Sequence, residues 1–248
     1  MPSPRTSLHI CDVHVLRKGF ELTVDSVEFP AGVTLFVGPN GAGKTTLFDA
    51  ITGAIRGISP KVTLGDDPVA PRAVGYMPQN PQLPADLSCR ELLEHVAWLC
   101  GSTRPAAHEA AGRELDRVDL VAKEDVPAKD LSGGMKRRLA FACVTVRDSS
   151  ALLLDEPTND LDPSQRIRFL EIVQDVATTK PVVVSTHALH DFEGMPQQII
   201  VLDQGAVLFS GATTAFLESF SPEDGDLECA YLRCLRHDAS GDEHEGAA

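Results

Sequence analysis

The chain has 248 residues, 43% hydrophobic and 23% charged, enough for one large domain, two small ones, or one domain with an inserted subdomain. With 22 Lys and Arg against 36 Asp and Glu the net charge is −14, which argues against a nucleic-acid partner, since that calls for a basic face. No apolar run approaches the ~18 residues of a bilayer span and MPSPRTSLHI lacks the apolar stretch of a secretory signal, so a cytoplasmic protein is expected, any membrane spanning falling to another polypeptide.

Taken in chain order, LHICDVHVL and FELTVDSVEF alternate as strands do, and GVTLFV is a short apolar run ending in glycine, a buried strand. After a loop at 38–43, KTTLFDAITG predicts a helix closed by Gly53, and KVTLG and AVGYM predict further short strands. The pattern then changes. SCRELLEHVAWLC opens with Ser88 and carries Glu91 three residues on, a capping box, with Leu92, Leu93, Val96, Ala97 and Cys100 on one face. AAHEAAGRELDRV continues as helix, so residues 81–147 are expected to be helical between two α/β parts. Within them LSGGMKRR places two glycines at a helix start, where each costs about 1 kcal/mol against alanine in a helix interior. Exposed amides there attract anions, and Lys136, Arg137 and Arg138 follow at once.

Strands return with ALLL, which runs straight into DEP. PSQRIRFLEIVQDVA predicts a helix with Asp162 as cap and Pro163 first, PVVVSTH a buried strand, and IIVLDQGAVLFSG a hairpin turning at Gln204-Gly205. Apolar strands without alternation imply a sheet covered on both faces. From 221 the chain is acidic; LECAYLRCLR allows a short helix, and the segment is expected to be largely disordered. The six cysteines form no C-x-x-C pair and are read as reduced, mostly buried thiols, and His187 and His190 lack the further ligands a metal needs.

The chemistry sits in two of these stretches. GPNGAGKT, residues 38–45, fits G-x-x-x-x-G-K-[ST] between a strand and a helix, where glycines let backbone amides curl around phosphate oxygens, Lys44 reaches the terminal phosphates and Thr45 holds Mg²⁺. ALLLDEP ends an apolar strand in Asp155, a second group for Mg²⁺ at the sheet edge, and Glu156 next along can polarise a water for attack on the γ-phosphate.

GPNGAGKTT, LSGGMKRR, LLLDEPTNDLDP and STH, in this order, resemble the nucleotide-binding subunit of an ABC (ATP-binding cassette) transporter over residues 8 to about 218. The resemblance implies an α/β P-loop NTPase core with a β-subdomain and an inserted α-helical subdomain (81–147), the whole domain spanning 8–220 and followed by the acidic tail 221–248. It implies ATP and Mg²⁺ held by Gly38, Asn40, Gly41, Gly43, Lys44, Thr45 and Thr46, with Gln79 of YMPQN as the Q-loop residue sensing metal and water, and His187 as the switch histidine. Ser132, Gly133 and Gly134 then correspond to the signature motif that binds the γ-phosphate held by the opposite subunit, and Asp162 to the D-loop aspartate at the dimer contact. Thr45, Gln79 and Asp155 are the implied metal group, and Glu156, His187 and Gln79 the catalytic one.

The implied partners are a second copy or a homologous ATPase subunit and a separate membrane-spanning chain, placing the protein on the cytoplasmic face of a membrane. The texture of 76–101 and 131–144 is most similar to subunits serving exporters. The alternatives are a soluble ATPase of the same type in a non-transport role such as iron–sulfur cluster assembly, and a nucleotide-sensing regulator, against which the intact Glu156 and His187 count. Two departures stand out: Lys18 falls where the family usually has an adenine-stacking aromatic, with Phe20 the nearest substitute, and Asp160 occupies a position more often small.

Overall fold

In the computed structural model, which describes residues 7–17, 19–221 and 225–241, the strands are β1 (Leu8–Arg17), β2 (Phe20–Phe29), β3 (Gly32–Val37), β4 (Lys61–Leu64), β5 (Asp67–Pro68), β6 (Val74–Met77), β7 (Ala151–Asp155), β8 (Pro181–Ser185), β9 (Gln198–Asp203) and β10 (Ala206–Ala212). They form a four-stranded antiparallel sheet, β2-β1-β4-β5, and a six-stranded sheet, β10-β9-β3-β8-β7-β6, parallel except for the β9–β10 hairpin. The helices are α1 (Lys44–Ile51), α2 (Cys89–Leu99), α3 (Arg104–Arg117), α4 (Gly133–Thr145), α5 (Pro163–Ala177), α6 (Thr213–Phe220) and α7 (Leu227–Gly241).

Period-two alternation sends each face of the six-stranded sheet into a different core. Leu35, Leu152, Leu154, Val182, Val184 and Val201 face one core with α4, α5 and the helical insert; Phe36, Leu153, Val183 and Ile200 face the other, with Phe48 of α1 and Ile10 and Phe29 of the small sheet. Both faces are covered, so β7 and β8 are apolar along 151–154 and 181–184 and turn polar only at their ends, Asp155 and Ser185, as their sequences predict.

Between β6 and β7 the chain is helical. Ser88 accepts from the Glu91 amide at 3.2 Å while the Glu91 carboxylate accepts from the Ser88 amide at 2.9 Å, so the expected capping box forms. Asp162 caps α5, accepting from the Gln165 amide at 3.0 Å, and the β9–β10 turn falls at Gln204-Gly205.

Two expectations are corrected. The acidic segment from 221, read as largely disordered with at most a short helix over LECAYLRCLR, forms the longer α7, which lies against α6, β10 and the 3-10 turn at Leu189–Phe192. Leu227, Ala230 and Cys234, spaced three and four apart, share one helical face and are buried. Average composition hid that stripe because most of the segment's acids lie outside α7 and Glu228 falls on its exposed side; residues 242–248 lie outside the described residues. The thiols are not mostly buried either: Cys89 and Cys234 are, whereas Cys11, Cys143 and Cys229 are half-buried and Cys100, at the C-cap of α2, is exposed.

Candidate active site

The loop after β3 turns back on itself to start α1. Gly43 at its end has φ +112°, in the left-handed region, and a Cβ there would come within 2.8 Å of the Phe20 ring. The position therefore admits only glycine, and the amide that follows opens α1. Lys44 is 8% exposed; its Nζ donates to the carbonyls of Gly38 at 2.6 Å and Pro39 at 3.2 Å. Burial lowers the affinity of this amine for its proton, while the Glu156 and Asp155 carboxylates act in the opposite sense.

Asp155, at the end of β7, is where the two sequence motifs meet. Thr45 Oγ1 donates to its Oδ2 at 2.8 Å, although 110 residues separate the two. Ser185 Oγ, at the end of β8, donates to Oδ1, and Tyr76 OH of β6 donates to Oδ2 at 3.4 Å. Three neighbouring strand ends thus converge on one carboxylate, the arrangement expected at the carboxyl edge of a parallel sheet.

Glu156 leaves the strand with φ +47°, a backbone setting uncommon for a residue with a side chain, and its amide donates to Ser185 O at 3.0 Å. Its side chain is 4% exposed. His187 Nδ1 lies 3.0 Å from Oε1, outside hydrogen-bonding geometry, and both carboxylate oxygens are buried without a well-formed hydrogen bond, although the His187 backbone amide is near enough to favour the charged form. Burial is the main reason that the Glu156 carboxyl is pushed up to about 7, with Lys44 opposing it. Burial and the charge of Lys44 push His187 below its ordinary value. Its side chain is 52% exposed, so it is not the strand-end core histidine its sequence suggests in isolation.

Arg17, Phe20, Asn40, Gly41, Gly43, Lys44, Thr45, Thr46, Gln79, Asp155, Glu156 and His187 line one cleft of about 640 Å³. Gly38 supplies a carbonyl at its back through Lys44. Thr45, Gln79 and Asp155 are oxygen donors, the kind a hard divalent cation such as Mg²⁺ takes, and the unsatisfied oxygens of Glu156 stand beside them. Phe20 is the aromatic that reaches the cleft; Lys18 lies outside the described residues.

Ser132, Gly133, Gly134 and Asp162 do not line this cleft. Ser132 caps α4, accepting from the Met135 amide at 3.3 Å, and Gly133 is exposed, with open space where a Cβ would lie. Gly134 is buried; a Cβ there would come within 2.5 Å of Gln165 Oε1 on α5, so this glycine permits close helix packing within the chain. Ser164 and Gln165 hydrogen-bond the Asp162 carboxyl and hold it below the usual range. Nor do the following arginines line the cleft, as their place after a helix start suggests, and Arg138 pairs instead with the Asp119 carboxylate at 3.5 Å. Arg137 and Arg138 are buried and donate to backbone carbonyls, Arg138 to Val118 at 2.5 Å and Asp119 at 3.2 Å.

Tyr76 and Ser185 are site residues that the sequence did not single out, while Arg137, read there as facing an anion, serves the site through backbone carbonyls instead. The only signal for the first two was their place on apolar strands that end at the cleft. Asp160, unexplained in the sequence, has φ +63°, which aspartate tolerates better than most residues, and places a negative charge near Arg137.

Residues 23–159 match the family model described as ABC transporter. The Nod factor export ATP-binding protein I of Burkholderia lata is 35% identical over 213 residues, covering 82% of this chain and 70% of that one. The ABC transporter ATP-binding protein YxlF of Bacillus subtilis is 32% identical over 176 residues, 71% of this chain and 60% of that one. A solved structure described as the ATP binding subunit of an ABC transporter superposes with a TM-score of 0.78 at 22% identity, over 93% of this chain and 100% of the other, which establishes the shared α/β fold.

Proposed function

The chain belongs to the ABC transporter family, whose ATP-binding subunits are ATPases, and from that premise we propose that Glu156 is the general base for ATP hydrolysis in a site completed by a second copy of the chain. Glu156 carries this reading: a buried carboxylate lining the cleft, neither oxygen in a well-formed hydrogen bond, with its proton affinity raised into the range where a base works at neutral pH. In this reading Asn40, Gly41 and Gly43 offer backbone to the phosphates and Lys44 brings the buried positive charge for their terminal oxygens. Glu156 accepts a proton from the attacking water, and His187, beside Oε1, orients the γ-phosphate end. Mg²⁺, held by Thr45 and Asp155 with Gln79 alongside, would supply charge neutralisation of the phosphates.

Ser132 and Gly133 present an exposed helix start away from this cleft, which supports their meeting the nucleotide of a partner copy, with Asp162 at the contact. Among the described residues no helix is long and apolar enough to cross a membrane. Spanning then falls to a separate transporter chain, as the family of ATP-binding subunits suggests, with this subunit peripheral on the cytoplasmic side. The Nod factor export named for the Burkholderia relative favours export as the direction.

Glu156→Gln tests the assignment. It is expected to keep nucleotide affinity and slow hydrolysis by about 10²–10⁴-fold, the usual loss for a general base. Lys44→Ala is expected to lose most nucleotide binding. Undiminished hydrolysis by the first variant contradicts the role given to Glu156.

A further inference from the structure

Three cations follow the exposed start of α4, and they do three different things. Lys136 Nζ donates to Lys129 O at 3.0 Å on the surface, and Arg138 ties α4 to the end of α3 through Val118 and Asp119. Arg137 instead turns toward the rear of the cleft. Its Nη1 donates to Gln79 O at 2.6 Å, and its Nη2 to both Glu156 O and Asn159 O at 3.1 Å. One side chain thus satisfies carbonyls on three segments: the turn after β6, the end of β7, and the loop leading into α5.

Two of these segments carry left-handed backbone at residues that are not glycine, Glu156 itself at φ +47° and Asp160, next to Asn159, at φ +63°. Such settings persist only where the surroundings over-determine them. Arg137 is 7% exposed, and the nearby charges of Asp160 and Glu156 favour its ionised form against burial. A lysine could not reproduce the contact, because reaching three carbonyls at once needs the planar fork of a guanidinium.

We infer that Arg137 is a positioning residue for ATP hydrolysis: through its donations to Gln79 O, Glu156 O and Asn159 O it fixes the base and the Q-loop relative to the helix that carries the signature motif. Arg137 touches no reacting atom. Its effect passes through Glu156, so the inference rests on the reading of Glu156 as the base. A shift of α4 in its own chain is then felt at Glu156.

The test is a double-mutant cycle on the full chain, with Arg137→Lys and Arg137→Gln made in both the native and the Glu156→Gln backgrounds. In the native background kcat is expected to fall about 10–100-fold, the scale of a small misplacement of a reacting group, with affinity for a fluorescent ATP analogue changed by less than about twofold. In the Glu156→Gln background the same substitutions are expected to lower the residual rate by less than about twofold, because the group they position is already gone. Equal losses in both backgrounds, an unchanged kcat, or an Arg137→Lys protein that fails to fold or to bind the analogue would each overturn the inference. A Glu156→Gln protein of undiminished rate would overturn the base assignment, and this inference with it, which distinguishes the two failures.

Discussion

In its proposed role as the base, Glu156 sets the pH dependence of hydrolysis, through the same burial that leaves its carboxylate in the cleft. Below its raised value of about 7 the buried carboxyl is protonated and cannot accept a proton from water. Activity as kcat/KM, which reports the free enzyme, should therefore rise with pH, reach half its plateau near 7, and lose that limb in Glu156→Gln. The stability sign follows from the same shift. The folded carboxyl binds its proton more tightly than the unfolded one at 4.5, so its contribution is full below 4.5 and is lost as pH rises through about 7. At pH 8 the nucleotide-free Glu156→Gln protein should thus melt no lower than the native one; a clear fall would show that the ionised carboxylate has a partner in the fold. The two glycines that open α4 also separate at this scale. Gly134→Ala meets Gln165 and should cost about 1–3 kcal/mol in urea unfolding, the range for an overpacked site. Gly133→Ala meets nothing and should cost less than about 0.5 kcal/mol. Equal costs would contradict the packing described.

Among the elements, α7 is where structure and sequence diverge most, and it yields the plainest stability prediction. Deleting residues 225–248 exposes the core under Leu227, Ala230 and Cys234. At about 1.5–3 kcal/mol for one large apolar side chain, and less for the small ones, the loss should reach about 3 kcal/mol. For a chain of this size that lowers the melting temperature by about 6–12 °C in calorimetry; an unchanged transition would mean that α7 is undocked in solution. Apart from β5 and α6, which were not read from the sequence, the other elements were legible because their signals are local. Ser88 and Glu91, or Gly38 to Thr45, lie within one turn of chain, and the apolar runs of β3, β7 and β8 announce burial on both faces. What was not legible is held by distance. Tyr76 and Ser185 reach Asp155 across 79 and 30 residues, and Arg137 reaches Gln79 across 58, so no local pattern encodes them. Composition misled for α7, because burial depends on the spacing of a few apolar residues and not on their average.

At the scale of the whole molecule, the residues that resemble nucleotide contacts fall into two groups. Lys44, Thr45, Gln79, Asp155, Glu156 and His187 share one cleft, while Ser132 and Gly133 open α4 outside it. The account requires each ATP to be met by the first group of one copy and the second group of another. Mixing two defective variants tests this most directly. Lys44→Ala removes the phosphate-binding cation from one group. Gly133→Asp puts a carboxylate on the exposed helix start of the other, where an acid suits α4 but repels the phosphate of a partner. Each variant alone should be nearly inactive. Under conditions that exchange subunits, random pairing makes half the dimers mixed, each with one intact site of two, so about a quarter of native ATPase activity should return if the sites act independently. A mixture no more active than the mean of its two components, with exchange demonstrated by subunits carrying different fluorophores, would contradict a site shared between two chains.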